Sequence, residues 1–99
     1  CSVAVIYSRD DTERGEYCAV LVNERGQLTE TTRANLAVCL GGTWWTPPLD
    51  AGCLPGVERA RLLADGRLRE RVLTAADLAR AEKLAVVSSL RGWRAAVLL

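Results

Sequence analysis

Short β-branched and apolar runs, each stopped by glycine, proline or a charged turn, constrain this 99-residue chain more than any other feature. Ser2-Val-Ala-Val-Ile-Tyr7 and Tyr17-Cys-Ala-Val-Leu-Val22 have the composition of buried strands. Residues 9–16 between them are charged and include Gly15, which predicts a solvated loop or a short helix. Asn23-Glu-Arg-Gly26 closes the second run with turn residues. Residues 34–40 form a third run that ends at Gly41-Gly42, and Thr43-Trp-Trp-Thr46 returns from the glycine pair as the second arm of a hairpin. Pro47-Pro48 stops that arm, because neither proline can donate to a ladder. Residues 67–73 alternate loosely as a strand, and residues 83–87 and 93–99 supply the last two.

Two short helices interrupt the strands. Residues 56–64 form the first, which Gly66 terminates. The second begins at Thr74, an N-cap residue with Asp77 in the capping-box position, and Leu73 and Leu78 are spaced as a hydrophobic staple. The expected fold class is mixed α+β (α/β) in a single domain without internal repeats.

A chain of this length buries about 60–70% of the surface it exposes when unfolded, so it has one modest core. Its net charge of +1 argues against nucleic acid as a main partner. No apolar stretch approaches the roughly 20 residues of a membrane span, and no secretory signal opens the chain. The four cysteines, Cys1, Cys18, Cys39 and Cys53, contain no CxxC pair and no histidine accompanies them. A metal site is therefore not expected, and free thiols in a reduced cytoplasmic protein are. Twelve arginines stand against one lysine, Lys83, a ratio that codon usage accounts for better than phosphate binding by the whole set. The Trp44-Trp45 pair is expected to place one ring in the core and its neighbour half-exposed, since adjacent strand residues face opposite sides.

Four segments carry possible chemistry. Leu54-Pro-Gly-Val-Glu-Arg59 is either an ordinary Pro-Gly turn opening a helix or an anion cradle, in which Gly56 admits an oxyanion and Val57 and Glu58 offer N–H groups. Glu30, in Glu30-Thr-Thr-Arg-Ala-Asn35, follows a turn and precedes an apolar strand, where a solvated glutamate is the ordinary outcome. The third segment is Thr46-Pro-Pro-Leu49. In the fourth, Ser88-Ser-Leu-Arg-Gly-Trp93, Ser89 is either a turn-capping serine or a ligand to an anion, and Arg91 is either a surface arginine or a carboxylate binder.

In order and spacing, these segments resemble the second half of the fold-type IV pyridoxal-phosphate (PLP) enzymes. That superfamily includes branched-chain aminotransferases, D-amino-acid aminotransferases and 4-amino-4-deoxychorismate lyases. The last segment most resembles the lyase branch, including the lyase part of fused para-aminobenzoate synthases. Aminotransferase branches tend to carry a Gly-Thr-Ala type segment there. The resemblance holds from about Tyr17 onward, and residues 1–16 match the family poorly.

The resemblance implies a D-amino-acid aminotransferase-like second domain with mixed strands in a barrel-like sheet. It implies that Glu30 pairs with the pyridine nitrogen, that Leu54, Gly56, Val57, Glu58 and Ser89 bind the cofactor, and that Arg91 and Ser88 reach substrate. Family members commonly carry threonine or serine where Glu58 stands, so only its backbone is expected to face the phosphate. Arg59 matches a family arginine that could balance charge. Lys83 matches no family lysine motif and is expected to snorkel at the end of the second helix. The Schiff-base lysine is therefore expected before Cys1, which makes residues 1–99 the C-terminal part of an enzyme and leaves the chain alone inactive. The implied activity is release of pyruvate from aminodeoxychorismate to give para-aminobenzoate for folate biosynthesis, by a homodimer acting on a small molecule. An aminotransferase fragment and a non-catalytic module derived from the same fold are the alternatives.

Overall fold

The computed structural model describes residues 2–9 and 15–99. Eight strands form one sheet: β1 (Ser2–Arg9), β2 (Gly15–Val22), β3 (Leu28–Thr31), β4 (Asn35–Leu40), β5 (Thr43–Thr46), β6 (Arg69–Glu70), β7 (Lys83–Ser88) and β8 (Gly92–Leu98). Their order is β3-β2-β1-β8-β7-β4-β5-β6. Every pairing is antiparallel except the short β5–β6 contact. Two helices, α1 (Val57–Ala64) and α2 (Ala75–Ala79), and a 3-10 turn at Leu49–Ala51 complete the chain.

The sheet is curled into a half-barrel, so that β3 at one edge comes back against β4. Irregular register between Ser2 and Ala4 and between Val20 and Val22 adds local bend where the sheet turns. The concave face closes over one cluster that includes Ile6, Val20, Leu28, Leu36, Val38 and Val86, with Leu73 and Leu78 from around α2. The convex face of β4 and β7 carries Ala37, Ala85 and Val87, on which Leu62 of α1 and Leu68 rest. Small residues at Ala37 and Ala85 let the helix approach the sheet closely. Because β4 and β7 are covered on both faces, their sequences are continuously apolar rather than alternating.

Most expected elements are present, and four differ. Gly15 and Glu16 belong to β2 rather than to a loop, and residues 10–14 lie outside the described residues. Residues 28–31 form β3, so Glu30 sits within a strand instead of ahead of one. Only Arg69–Glu70 of the expected strand at 67–73 pairs, since Leu68 and Leu73 turn into the two clusters. Lys83 is the exposed first residue of β7, not a helix-end residue. The glycine hairpin is as expected, with Leu40 opposite Thr43 and positive φ at both Gly41 and Gly42.

Both tryptophans of the pair are half-buried, on opposite faces. Trp45 packs against the concave cluster with Arg71 over its ring, while Trp44 meets Trp93 edge-on at 4.6 Å. Cys18, Cys39 and Cys53 are free and buried, and Cys1 lies outside the described residues. No helix among the described residues is long and apolar enough to cross a membrane.

The capping box at α2 is complete. Thr74 Oγ1 accepts from Asp77 N at 3.4 Å, and Asp77 Oδ2 accepts from Thr74 N at 3.0 Å. The Thr74 N–H, followed by the Arg80 guanidinium, holds the Asp77 carboxyl below its ordinary value. A depressed carboxylate stabilises the fold at neutral pH, and this contribution is lost as pH falls below the ordinary carboxylate range. Thr74→Ala is expected to cost about 1 kcal/mol in chemical denaturation of the full-length protein. A loss indistinguishable from zero would show that α2 is held by Leu78 packing alone.

Candidate active site

The Glu30–Asn35 segment explains its own spacing. Thr31 ends β3 and its hydroxyl organises the turn into β4: Oγ1 accepts from Ala34 N at 3.0 Å and from Arg33 N at 3.3 Å. It also donates to the Ala34 carbonyl at 2.8 Å. This turn sets Glu30 and Asn35 side by side at neighbouring strand ends, and both grip the backbone of one residue, Leu54. Glu30 Oε1 accepts from Leu54 N at 2.9 Å, while Asn35 Nδ2 donates to the Leu54 carbonyl, also at 2.9 Å. Gly56 N bonds the same carbonyl at 2.9 Å, and so the chain bends sharply through Pro55 into α1.

Gly56 is the N-cap of α1 and no side chain caps the helix. The first N–H groups of a helix have no intrahelical partners, and the helix dipole adds partial positive charge there. Gly56 has ordinary extended dihedrals, so its requirement is one of space: a Cβ would lie 2.3 Å from Asn35 Oδ1. These groups border a cavity of about 240 Å³ lined by residues 30–35, Leu54, Gly56, Val87, Ser88 and Ser89.

The expected site residues distribute as follows. Glu30, Leu54, Gly56, Ser88 and Ser89 share the cavity, whereas Val57 is exposed at the first helical position. The Glu58 side chain turns away to Arg61, at 2.6 and 2.8 Å, and this hydrogen-bonded pairing holds its carboxyl below the ordinary value. Arg59 is not at the cavity. It is buried, and its Nη2 donates to the Pro47 carbonyl at 3.1 Å and to Glu70 at 2.5 Å, bracing α1 against the end of β5. Ser88 Oγ accepts from Arg91 N at 3.1 Å and closes the β7–β8 turn, which leaves Ser89 exposed beside the cavity. The Arg91 guanidinium is hydrogen-bonded to Glu16.

Lys83 stands at the opposite end of β7 from Ser88, about 17 Å away along the strand. Its amine is thus no candidate for the chemistry of this cavity. Cys53 lies near the cavity wall, but burial pushes its thiol above the ordinary value, so it stays protonated and is a poor nucleophile. Among the described residues no group of side chains is arranged to hold a metal ion.

A larger groove of about 550 Å³ runs over the convex face between α1 and the Trp44–Trp93 pair. Its carboxylate, Glu58, is already paired with Arg61, and the groove carries no convergent set of free polar groups. Size favours the groove; chemistry favours the smaller cavity. Sequence reasoning passed over Thr31, whose signal was a threonine four residues before Asn35, the first residue of β4. It also passed over Arg94, an arginine at an inward position of β8.

The chain is similar to known proteins in sequence and fold. A model of the amino-transferase class IV family matches residues 4–98. A protein of Schizosaccharomyces pombe, provisionally described as an aminodeoxychorismate lyase, is 38% identical over 64 residues, covering 64% of this chain and 28% of its own length. A crystal structure from Mesorhizobium loti, provisionally described as an amino-acid aminotransferase, superposes with a TM-score of 0.73 at 44% identity over 77% of this chain and 37% of that one. Another from Legionella pneumophila, provisionally described as a 4-amino-4-deoxychorismate lyase, gives 0.73 at 32% identity over 79% and 31%. The chain spans less than half the length of the curated relatives it matches. With the family model covering nearly all of its residues, the chain belongs to the class IV amino-transferase family.

Proposed function

We propose that this chain is the C-terminal, cofactor-binding part of a PLP-dependent 4-amino-4-deoxychorismate lyase. The observation that carries the reading is the double grip of Glu30 and Asn35 on the backbone of Leu54. It puts a carboxylate, an uncapped helix N-terminus and a glycine without space for a Cβ at one cavity. That donor set suits PLP. The amides at the start of α1 and the Ser89 hydroxyl would hold the phosphate, and Glu30 would face the ring nitrogen and keep it protonated. When bound, the cofactor supplies an electron sink for the substrate carbanion.

This chain's own residues then bind and orient. Asn35 fixes the Leu54 carbonyl and keeps the helix start in place, and Ser88 and Arg91 shape the turn that borders the substrate side. The cavity is smaller than the about 300–1,000 Å³ of ordinary ligand sites, as expected if the remaining walls and the Schiff-base lysine come from other parts of a longer, dimeric protein. The Ser88-Ser-Leu-Arg-Gly-Trp93 turn favours the lyase over an aminotransferase. A non-catalytic descendant of the fold is the remaining reading.

The test uses full-length protein with aminodeoxychorismate. Cofactor absorbance together with pyruvate release, with no 2-oxo acid added, is the expected result. Turnover that requires a 2-oxo acid acceptor would make it an aminotransferase, and failure to bind PLP would leave the non-catalytic module.

A further inference from the structure

Among the described residues, guanidinium groups outnumber carboxylates at the start of β8. Glu16 of β2 faces three guanidinium groups: Arg91, hydrogen-bonded to Oε1; Arg94, whose Nη1 lies 3.5 Å from Oε2; and Arg33, whose Nε lies 4.0 Å from the same oxygen. Among the described residues this cluster sets three cations against one carboxylate. Arg94 is the informative member. It is 7% exposed, yet its Nε and Nη1 have no hydrogen-bond partner among the described residues. Arginine is always charged, and an orphaned buried donor is costly.

The register explains how an arginine came to be inside. Arg94 pairs with Val86 and Ala96 with Leu84, and Val86, Leu84 and Ala96 all belong to the concave cluster. Arg94 therefore continues the concave face toward the end of the half-barrel. Ser8, opposite Ala96 on β1, is also buried, and its hydroxyl has no hydrogen-bond partner among the described residues. A cavity of about 170 Å³ lies here, lined by Glu16, Arg33, Ser88, Leu90, Arg91 and Arg94. It shares Arg33 and Ser88 with the cavity assigned to the cofactor. The two spaces adjoin.

We propose that Arg94, with Arg33 and Arg91 at its rim, forms a carboxylate subsite that takes an acid group of the substrate remote from its reacting amine. The proposal rests on the cofactor reading of the neighbouring cavity. A carboxylate offers an oxygen to an unmet Arg94 donor and brings a negative charge to a site rich in guanidinium groups. Leu90 supplies an apolar wall for the carbon skeleton. Such an acid is found in a ring amine of the aminobenzoate kind and in the side chain of an acidic amino acid, and both present the same chemistry to Arg94.

The experiment is isothermal titration of full-length, PLP-loaded protein with two matched pairs: 4-aminobenzoate against 4-aminobenzamide, and L-glutamate against L-glutamine. In the native protein one acid is expected to bind at least about tenfold tighter than its amide, and the pair that shows it identifies the substrate class. Arg94→Gln should bring that ratio close to one without altering cofactor absorbance, and Arg94→Lys should keep part of it. No acid preference in either pair, or a preference that survives Arg94→Gln, overturns the subsite. Should Arg94→Gln fail to fold, Arg33→Gln serves instead, because that side chain is 60% exposed. It should lower the ratio about threefold by loss of rim charge, and an unchanged ratio overturns the subsite as well. If the protein takes up no PLP, the functional reading fails separately. The acid-to-amide ratio of the cofactor-free protein then still decides whether Arg94 binds a carboxylate.

Discussion

Glu30→Gln in the full-length enzyme is expected to lower kcat by about 100-fold or more, the usual scale for losing one preorganised electrostatic partner, while its melting temperature stays unchanged. The two outcomes separate because Glu30 has two jobs. Its Oε1 accepts from Leu54 N at 2.9 Å, and a glutamine oxygen can accept the same bond, so the loop before α1 keeps its path. What glutamine removes is the negative charge proposed to keep the pyridine nitrogen protonated, without which the ring is a weaker electron sink. Steady-state kinetics and a thermal melt on the same preparation decide it. Unchanged kcat would show that Glu30 is only a loop fastener. Glu30→Ala should add a stability loss of about 1 kcal/mol, because it also strips the Leu54 N–H of its partner.

Gly56→Ala should have the second large effect. Its φ of −61° and ψ of 145° suit any residue, so backbone strain is not the cause. The new methyl would stand 2.3 Å from Asn35 Oδ1, and Asn35 cannot simply swing aside, since its amide holds the Leu54 carbonyl. Either that bond breaks or the start of α1 moves. Overpacking of this kind costs about 1–3 kcal/mol, and a displacement near 1 Å at a binding cradle can cost on the order of 100-fold. PLP affinity should therefore fall much more than tenfold. Asn35→Ala supplies the control, because it removes the atom that the methyl meets. In the double variant the two stability losses should add to less than their sum. Full additivity would place the damage elsewhere.

The strands were legible because burial writes them plainly. β4 and β7 are apolar on both faces, and runs of Val, Leu and Ala between glycine and proline stops leave few alternatives. The α2 capping box was equally plain, since Thr74 and Asp77 act within one turn of chain. β3 was missed for the opposite reason. Leu28-Thr-Glu-Thr31 is short and largely polar, and it is a strand only because Val20 and Val22 of β2 pair with it. β6 is likewise two residues of polar chain made into a strand by β5.

In the candidate site, residue types were readable and partners were not. Arg59 matched a family arginine by position, yet it braces Pro47 and Glu70, because the helical twist carries it from the cradle to the buried side of α1. Arg91 reads as a free cation in the sequence, and its pairing with Glu16 joins residues 75 apart in the chain.

By itself, then, the amino-acid sequence determined much of the local structure: the apolar strands and where α1 and α2 start. These follow from side-chain period and turn chemistry, which act over a few residues, whereas Glu30 and Ser89 stood out as cofactor residues only through the family resemblance. Only the tertiary structure decided that Glu30 and Asn35 hold one residue, Leu54, that Arg59 turns away from it, and that Arg94 is buried near Glu16 with two donors that lack hydrogen bonds among the described residues. Each of those facts depends on the curl of the sheet and the register of its strands. Both are set by burial of the concave cluster, a property of the whole chain that no single segment carries.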